Sequence, residues 1–314
     1  MKKYQLFSVL SALFLLNSCQ RQCCDDIVCE TYVHRYGMPL DPQDWSSRGQ
    51  DGQVISTRKD GVVVCTSYEA GVLNGETTLT FPHRDTIAKR YTYLNGVLMQ
   101  ETDYYSNGMP QKQMIHEGTT QHQLGWYENG APQFKEIYLE GSLVSGEYLN
   151  EAQQTASSVT DYNGVRTLYD DYGQLLYVDE IQNGQMTTRR TFHPNGTPAS
   201  VTPFVNGIIE GKRFTYCMGG EPATVEEWST NCQHGNTEVF ENGEKIADQP
   251  YEFGQIHGVE RRYREGNCLV QENRWIQGEK HGACQNYFNE MKQTQWFFKG
   301  RPVNRSTYEA LCSQ

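Results

Sequence analysis

The sequence predicts an all-β chain, an elongated single-layer antiparallel meander of about ten to eleven repeated hairpins. Two observations carry that expectation. The first is composition: 314 residues hold 29 Gly and 20 Tyr, and only 37% are hydrophobic, with few long apolar runs. Many short strands joined by tight turns use such a mixture. Helix bundles and parallel α/β sheets need Leu- or Val-rich buried segments and fit it poorly. The second is a period. Gly71, Gly96, Gly118, Gly141, Gly164, Gly184, Gly207, Gly254, Gly278 and Gly300 recur at steps of 20 to 25 residues, with Asn231 filling one slot.

Other positions keep step with these glycines. Three residues before each turn glycine lies a bulky apolar column: Tyr68, Tyr93, Ile115, Tyr138, Ile181, Phe204, Trp228, Tyr251, Trp275 and Phe297. A second column follows about nine residues after it, at Phe81, Tyr105, Tyr127, Phe192, Tyr216, Phe240, Tyr263 and Tyr287, and leads into a second turn such as Glu128-Asn129-Gly130. Each unit therefore reads as strand, Gly turn, strand, Gly turn, because Asn-Gly and its relatives reach positive φ cheaply. A unit this short cannot bury its apolar face alone and must stack on its neighbours. Twenty-odd strands at about 4.8 Å spacing predict a ribbon on the order of 100 Å long.

The spacing Gly-x-x-x-Gly recurs at Gly71–Gly75, Gly207–Gly211, Gly254–Gly258 and Gly278–Gly282. Over residues 52–304 these units resemble MORN-variant repeats. The resemblance implies a single-layer β-sheet used for protein or membrane contact. The same units build a bacterial family named for antitoxin activity.

Along the chain, residues 1–18 read as a lipoprotein signal peptide. Lys2 and Lys3 precede an apolar stretch from Leu6 to Leu16, which as a helix would rise about 16 Å, half a bilayer core. Leu16-Asn17-Ser18-Cys19 then resembles a bacterial lipobox, which implies acylation of Cys19 and a membrane anchor of several acyl chains. Gln20, not Asp, follows, and resemblance to enteric sorting rules implies the outer rather than the inner membrane of the cell envelope.

Residues 19–51 are expected to form a Cys-rich tether and N-terminal cap, with Trp45 and Tyr36 covering the first hairpin. Nine cysteines remain after Cys19. In an oxidising compartment an odd number leaves at least one thiol free or bonded to another molecule. Cys23, Cys24 and Cys29 sit in the tether and are the candidates for intermolecular disulfides. Residues 52–150 and 166–304 are expected to be two repeat arms, and 151–165 a degenerate repeat or bend. There Asp161 falls in the apolar column and Asn150 replaces an aromatic. Residues 305–314 are expected to close the far end with Tyr308 and Leu311.

No catalytic motif is present: no GxSxG, HExxH, P-loop or GxGxxG. The chain carries −11, and loss of residues 1–18, with two lysines and no acid, takes it to −13. Lys and Arg form no cluster along the sequence, and an acidic chain is repelled by phosphate backbones, so nucleic-acid binding is disfavoured. His234, His257 and His281 repeat just before a glycine, but equivalent positions lie about 9.6 Å apart, too far to share a zinc ion bound at about 2 Å. Asn74 holds the same slot, which reads as a turn position. No metal or cofactor is expected.

The expectation is a non-enzymatic protein-interaction scaffold. Its candidate binding residues are Tyr138, Phe204, Trp228, Tyr251, Trp275 and Phe297, since exposed aromatic rows are typical contact surfaces. The alternatives are an antitoxin or immunity role, for which acidity suits a basic toxin, and a structural spacer or coat.

Overall fold

A computed structural model describes residues 26–265, 268–288 and 291–313. Cys19, Cys23 and Cys24 lie outside them. The chain is all-β, with 28 strands in one antiparallel sheet of meander order. It forms two compact units, residues 1–135 and 136–314.

The turns explain the period. Eleven of them, from Ala70–Gly71 to Lys299–Gly300, place two successive residues at positive φ, as in Gln277 at 50° and Gly278 at 81°. This is the type I′ geometry, whose twist matches that of the strands it joins. It leaves both turn N–H groups pointing away from their own hairpin, and in eight of these turns a backbone carbonyl earlier in the chain accepts one of them. The Gly254 N–H donates to the Gln233 carbonyl at 2.9 Å, that of Gly278 to Ile256 at 2.9 Å and that of Gly300 to Lys280 at 2.9 Å. Gly96 bonds Leu73 in the same way at 2.7 Å in the first unit.

The other turn N–H is taken by a side chain. Asn95 donates to Asn74 Oδ1 at 3.2 Å, Thr230 to Glu210 Oε2 at 2.8 Å, Gln277 to His257 Nδ1 at 3.4 Å and Lys299 to His281 Nδ1 at 3.4 Å. His257 and His281 thus share one task with an asparagine and a glutamate, capping the next turn, while the His234 ring packs on Phe253 at 5.3 Å.

Flat strands would hold such turns too far apart to bond. A two-residue register slip beside five of the turns, those after Tyr68, Phe204, Trp228, Tyr251 and Trp275, brings neighbouring turns together. Tyr251 pairs with Ile256 but Asp248 with Arg261, and Trp275 pairs with Lys280 but Glu272 with Gln285. The strand leaving the turn therefore carries two more residues than its partner, a bulge that bends the hairpin and re-aims the turn. The Gly-x-x-x-Gly spacing is this bulge, read as sequence.

Its second glycine has a further role. Each lies directly opposite a column residue of the following strand: Gly75 opposite Tyr93, Gly211 opposite Trp228, Gly235 opposite Tyr251, Gly258 opposite Trp275 and Gly282 opposite Phe297. A glycine offers no side chain, so the ring can cover bare backbone.

The same rule corrects the reading of residues 150–165. The turn there is Asp161–Tyr162, both at positive φ, so Tyr162 and not Gly164 holds the glycine slot. Val159, three residues earlier, is the column residue in place of Asp161, and it lies opposite Gly146 at 2% exposure. The unit differs in which residue makes the turn, not in its register. Gly164 sits one step past the turn, opposite Ile181, at φ 147°. Asn150 seals its own turn, its Oδ1 accepting the Gln154 N–H at 2.9 Å.

In the first unit the helix Pro42–Ser47 (α1) starts on Asp41, whose carboxylate accepts the Asp44 N–H at 2.7 Å, with Pro42 at the first helical position. It buries Trp45 against Tyr32 and Tyr68, at ring separations of 5.5 and 6.2 Å. Tyr36 does not cover the hairpin: it is 72% exposed and stacks on His34. In the second unit the helix Arg305–Cys312 (α2) is capped by Asn304, and Tyr308 packs on Trp296 at 5.0 Å.

Two glycines distinguish the constraints. A Cβ at Gly278 meets nothing within 4 Å, so Gly278→Ala bears only the left-handed conformation and should cost about 1 kcal/mol. A Cβ at Gly164 would collide with the Ser158 carbonyl oxygen and lie 2.8 Å from Val159 Cα. Gly164→Ala should therefore cost more than about 2 kcal/mol in urea unfolding. Equal costs would contradict the backbone contact.

Candidate functional site

The six candidate aromatics, Tyr138, Phe204, Trp228, Tyr251, Trp275 and Phe297, all fall in the second unit and each lies three residues before the second residue of its turn. All six are half-buried. A strand alternates faces, so the residue two before each aromatic shares its face. Those residues are Glu136, Thr202, Glu226, Gln249, Asn273 and Gln295, every one polar.

Three of the aromatics are tied to carboxylates on this face. Tyr138 donates its hydroxyl to Glu136 at 3.0 Å. Trp228 donates its indole N–H to Glu226 at 2.8 Å, and Trp275 to Glu260 at 2.9 Å. Phe204 and Phe297 have no polar tip to offer. Trp228 and Trp275 are thus held at both ends, by the glycine opposite and by an acid on the same face.

The carboxylates themselves are deeply placed. Glu136 and Asp179 are 0% exposed and Glu260 1%. A charge buried this far must be paired and hydrogen-bonded. Arg166 lies between the first two, its Nε 2.8 Å from Glu136 Oε1 and its Nη1 3.8 Å from Asp179 Oδ2. Arg189 grips Asp179 with two bonds, of 2.7 and 2.9 Å, and its guanidinium lies 4.0 Å from the ring centre of Tyr177. Tyr148, fully buried, donates to Glu136 at 2.9 Å. Burial, then the Glu136 charge, push the Tyr138 and Tyr148 hydroxyls far above the usual tyrosine range, so both remain donors.

Glu260 is satisfied differently. It accepts from Arg262 Nε at 2.7 Å, Trp275 at 2.9 Å, Asn273 at 3.0 Å and Gln249 at 3.3 Å. Burial alone would raise its pKa; the bonds from Arg262, Asn273 and Trp275 outweigh it and hold the carboxyl below its ordinary range.

Such an arrangement fixes side chains. The acids point at donors within the sheet. Among the described residues no group of three or more His, Cys, Asp or Glu is placed to hold a metal ion. Of the cross-linking candidates, Cys29 is described and exposed, on the strand Ile27–His34. None of the seven described cysteines is bonded to another. The sequence reading missed the carboxylates, although one signal was available: Glu136-x-Tyr138 and Glu226-x-Trp228 repeat an acid at the same offset before the column.

No protein-family model matches this sequence, and no curated protein does. Among solved structures the chain is similar to one titled "Crystal Structure of TcdB2-TccC3-Cdc42", at 9% identity and a TM-score of 0.20, over 83% of this chain and 20% of that one. A likeness at that score carries no argument about function.

Replacing Glu260 by Gln keeps the shape but turns donors toward Arg262, Asn273 and Trp275, and should cost about 2 kcal/mol at neutral pH. The depressed pKa also fixes a pH dependence. Stability from this carboxylate is fully present above its unfolded-state value near 4.3 and is lost as pH falls through the lower folded value. Urea midpoints of the native chain should therefore drop below about pH 4, and the Glu260→Gln variant should show a shallower drop. Parallel pH profiles for the two chains would contradict the assignment.

Proposed function

We propose that the chain is a membrane-anchored, non-enzymatic envelope lipoprotein that acts as a protein-interaction scaffold through its aromatic column. The anchor is Cys19, and the outer membrane is its place. One observation carries the reading: six aromatic residues stand at one repeated position of the second unit, half-exposed, and three of them, Tyr138, Trp228 and Trp275, are held by bonds to carboxylates. Fixed aromatic side chains bind at low entropic cost, because little rotamer freedom remains to be lost on contact. Exposed Cys29, together with Cys23 and Cys24, supplies thiols for intermolecular disulfides within the envelope.

Acidity favours a second reading, an antitoxin or immunity role, in which a chain of −11 meets a basic toxin. A spacer or coat without a fixed partner is the reading left if nothing binds.

The test must spare the carboxylates. Trp228 and Trp275 hold Glu226 and Glu260, so their removal would disturb the sheet along with any contact. Phe204, Tyr251 and Phe297 have no such bond among the described residues. Affinity capture with the full chain, read by mass spectrometry with and without reductant, should return a reproducible protein partner. Replacing these three by Ala together should weaken that capture at least tenfold while the variant stays folded. Capture that survives the triple replacement would contradict a role for the column, and a partner held only without reductant would point to the tether cysteines instead.

A further inference from the structure

A cavity of about 450 Å³ opens near the C-terminal end of the second unit, within the size range of small-ligand sites. Residues of three successive strands form its floor, among them Val259, Arg274 and Ala283. Trp296, His281 and Tyr308 stand around it. The helix α2 makes the site, because its Asn304 cap starts a turn that carries Tyr308 over the sheet edge. There Tyr308 lies 5.0 Å from the Trp296 ring and 5.5 Å from that of His281. None of these groups belongs to the carboxylate clusters described above.

Two further features give the cavity a sign. Arg274, an exposed residue that lines the cavity, has no ion partner among the described residues and is free to meet an anion there. A Cβ built on Gly282 would lie 3.4 Å from Arg274 Cδ and 3.5 Å from the Tyr308 hydroxyl, so the cation and the phenol lean over one bare glycine. The segment that builds this end of the sheet is also basic in sequence. Residues 274–305 contain six Lys or Arg against two Glu, within a chain of −11.

We propose that this cavity is a binding site for a ring-bearing carboxylate, its ring seated against Trp296, Tyr308 and His281 and its carboxylate taken by Arg274. A guanidinium fork matches a carboxylate in two bonds, which a neutral amide cannot reproduce. Flat aromatic walls favour a planar group at offset or edge contact. The ligand is either a free aromatic acid or the end of a polypeptide whose last residue is aromatic; both present the same chemistry.

Isothermal titration of the full chain tests the site. The probes are 4-hydroxyphenylacetate and the peptide acetyl-Gly-Gly-Tyr with a free carboxyl terminus, each paired with its amide. At least one acid should bind, with its amide about tenfold weaker or more, the loss expected for a charge-assisted pair. Binding of both acids marks a small-molecule site, and binding of the peptide alone a site for chain ends. Arg274→Gln should remove the preference for acid over amide while circular dichroism and Tm stay unchanged. Equal binding of acid and amide, no binding of either acid, or an acid preference that survives Arg274→Gln would each overturn the proposal.

Discussion

A type I′ turn leaves two N–H groups without partners in its own hairpin, and this chain satisfies them from the repeat before. Carbonyls such as those of Gln233, Ile256 and Lys280 take one, and Asn74, Glu210, His257 or His281 takes the other. Each such bond contributes only about 1 kcal/mol, but the pair recurs, and it is geometrically exacting. The turns of alternate strands must approach, and after Tyr68, Phe204, Trp228, Tyr251 and Trp275 a two-residue bulge bends the strand beside the turn. The bulge strips side chains from the backbone at a glycine, and an aromatic of the next strand covers it. Period, glycine spacing and aromatic column are consequences of one bond pattern.

A single layer of sheet has no second layer to pack against, and that shapes its interior. The most buried side chains include Glu136, Asp179 and Glu260 beside Tyr127 and Tyr148. Removing one partner from such a cluster is costly, because the remaining charge stays buried. The clusters also hold the column aromatics still, linking the way the sheet is held together to the surface it offers.

The sequence made some of this legible and hid the rest for physical reasons. Turn glycines and the aromatic column are short-range signals repeated at a fixed period, and both appear where expected. The placement of Gly164 as a turn residue failed because the true turn, Asp161–Tyr162, lacks glycine altogether; only the opposing pair Gly146 and Val159 reveals the register. Exposed Tyr36 shows that an aromatic near a chain end is not by itself a cap. The carboxylate clusters depend on partners 10 to 30 residues away, as in Asp179 with Arg189 and Glu136 with Arg166. The terminal cavity needs α2 folded back beside strands from three repeats, which no local pattern specifies.

The most direct measurement is amide hydrogen exchange on glycine-labelled protein. Gly254, Gly278 and Gly300 lie in turns whose N–H groups the preceding repeat accepts. Gly243 lies in a turn of the same conformation, Asn242–Gly243, and makes no such bond among the described residues. The three bonded glycines should exchange far more slowly than Gly243, despite sitting in turns at the surface. Exchange at all four at the same rapid rate would contradict repeat-to-repeat bonding as the interaction on which this sheet depends.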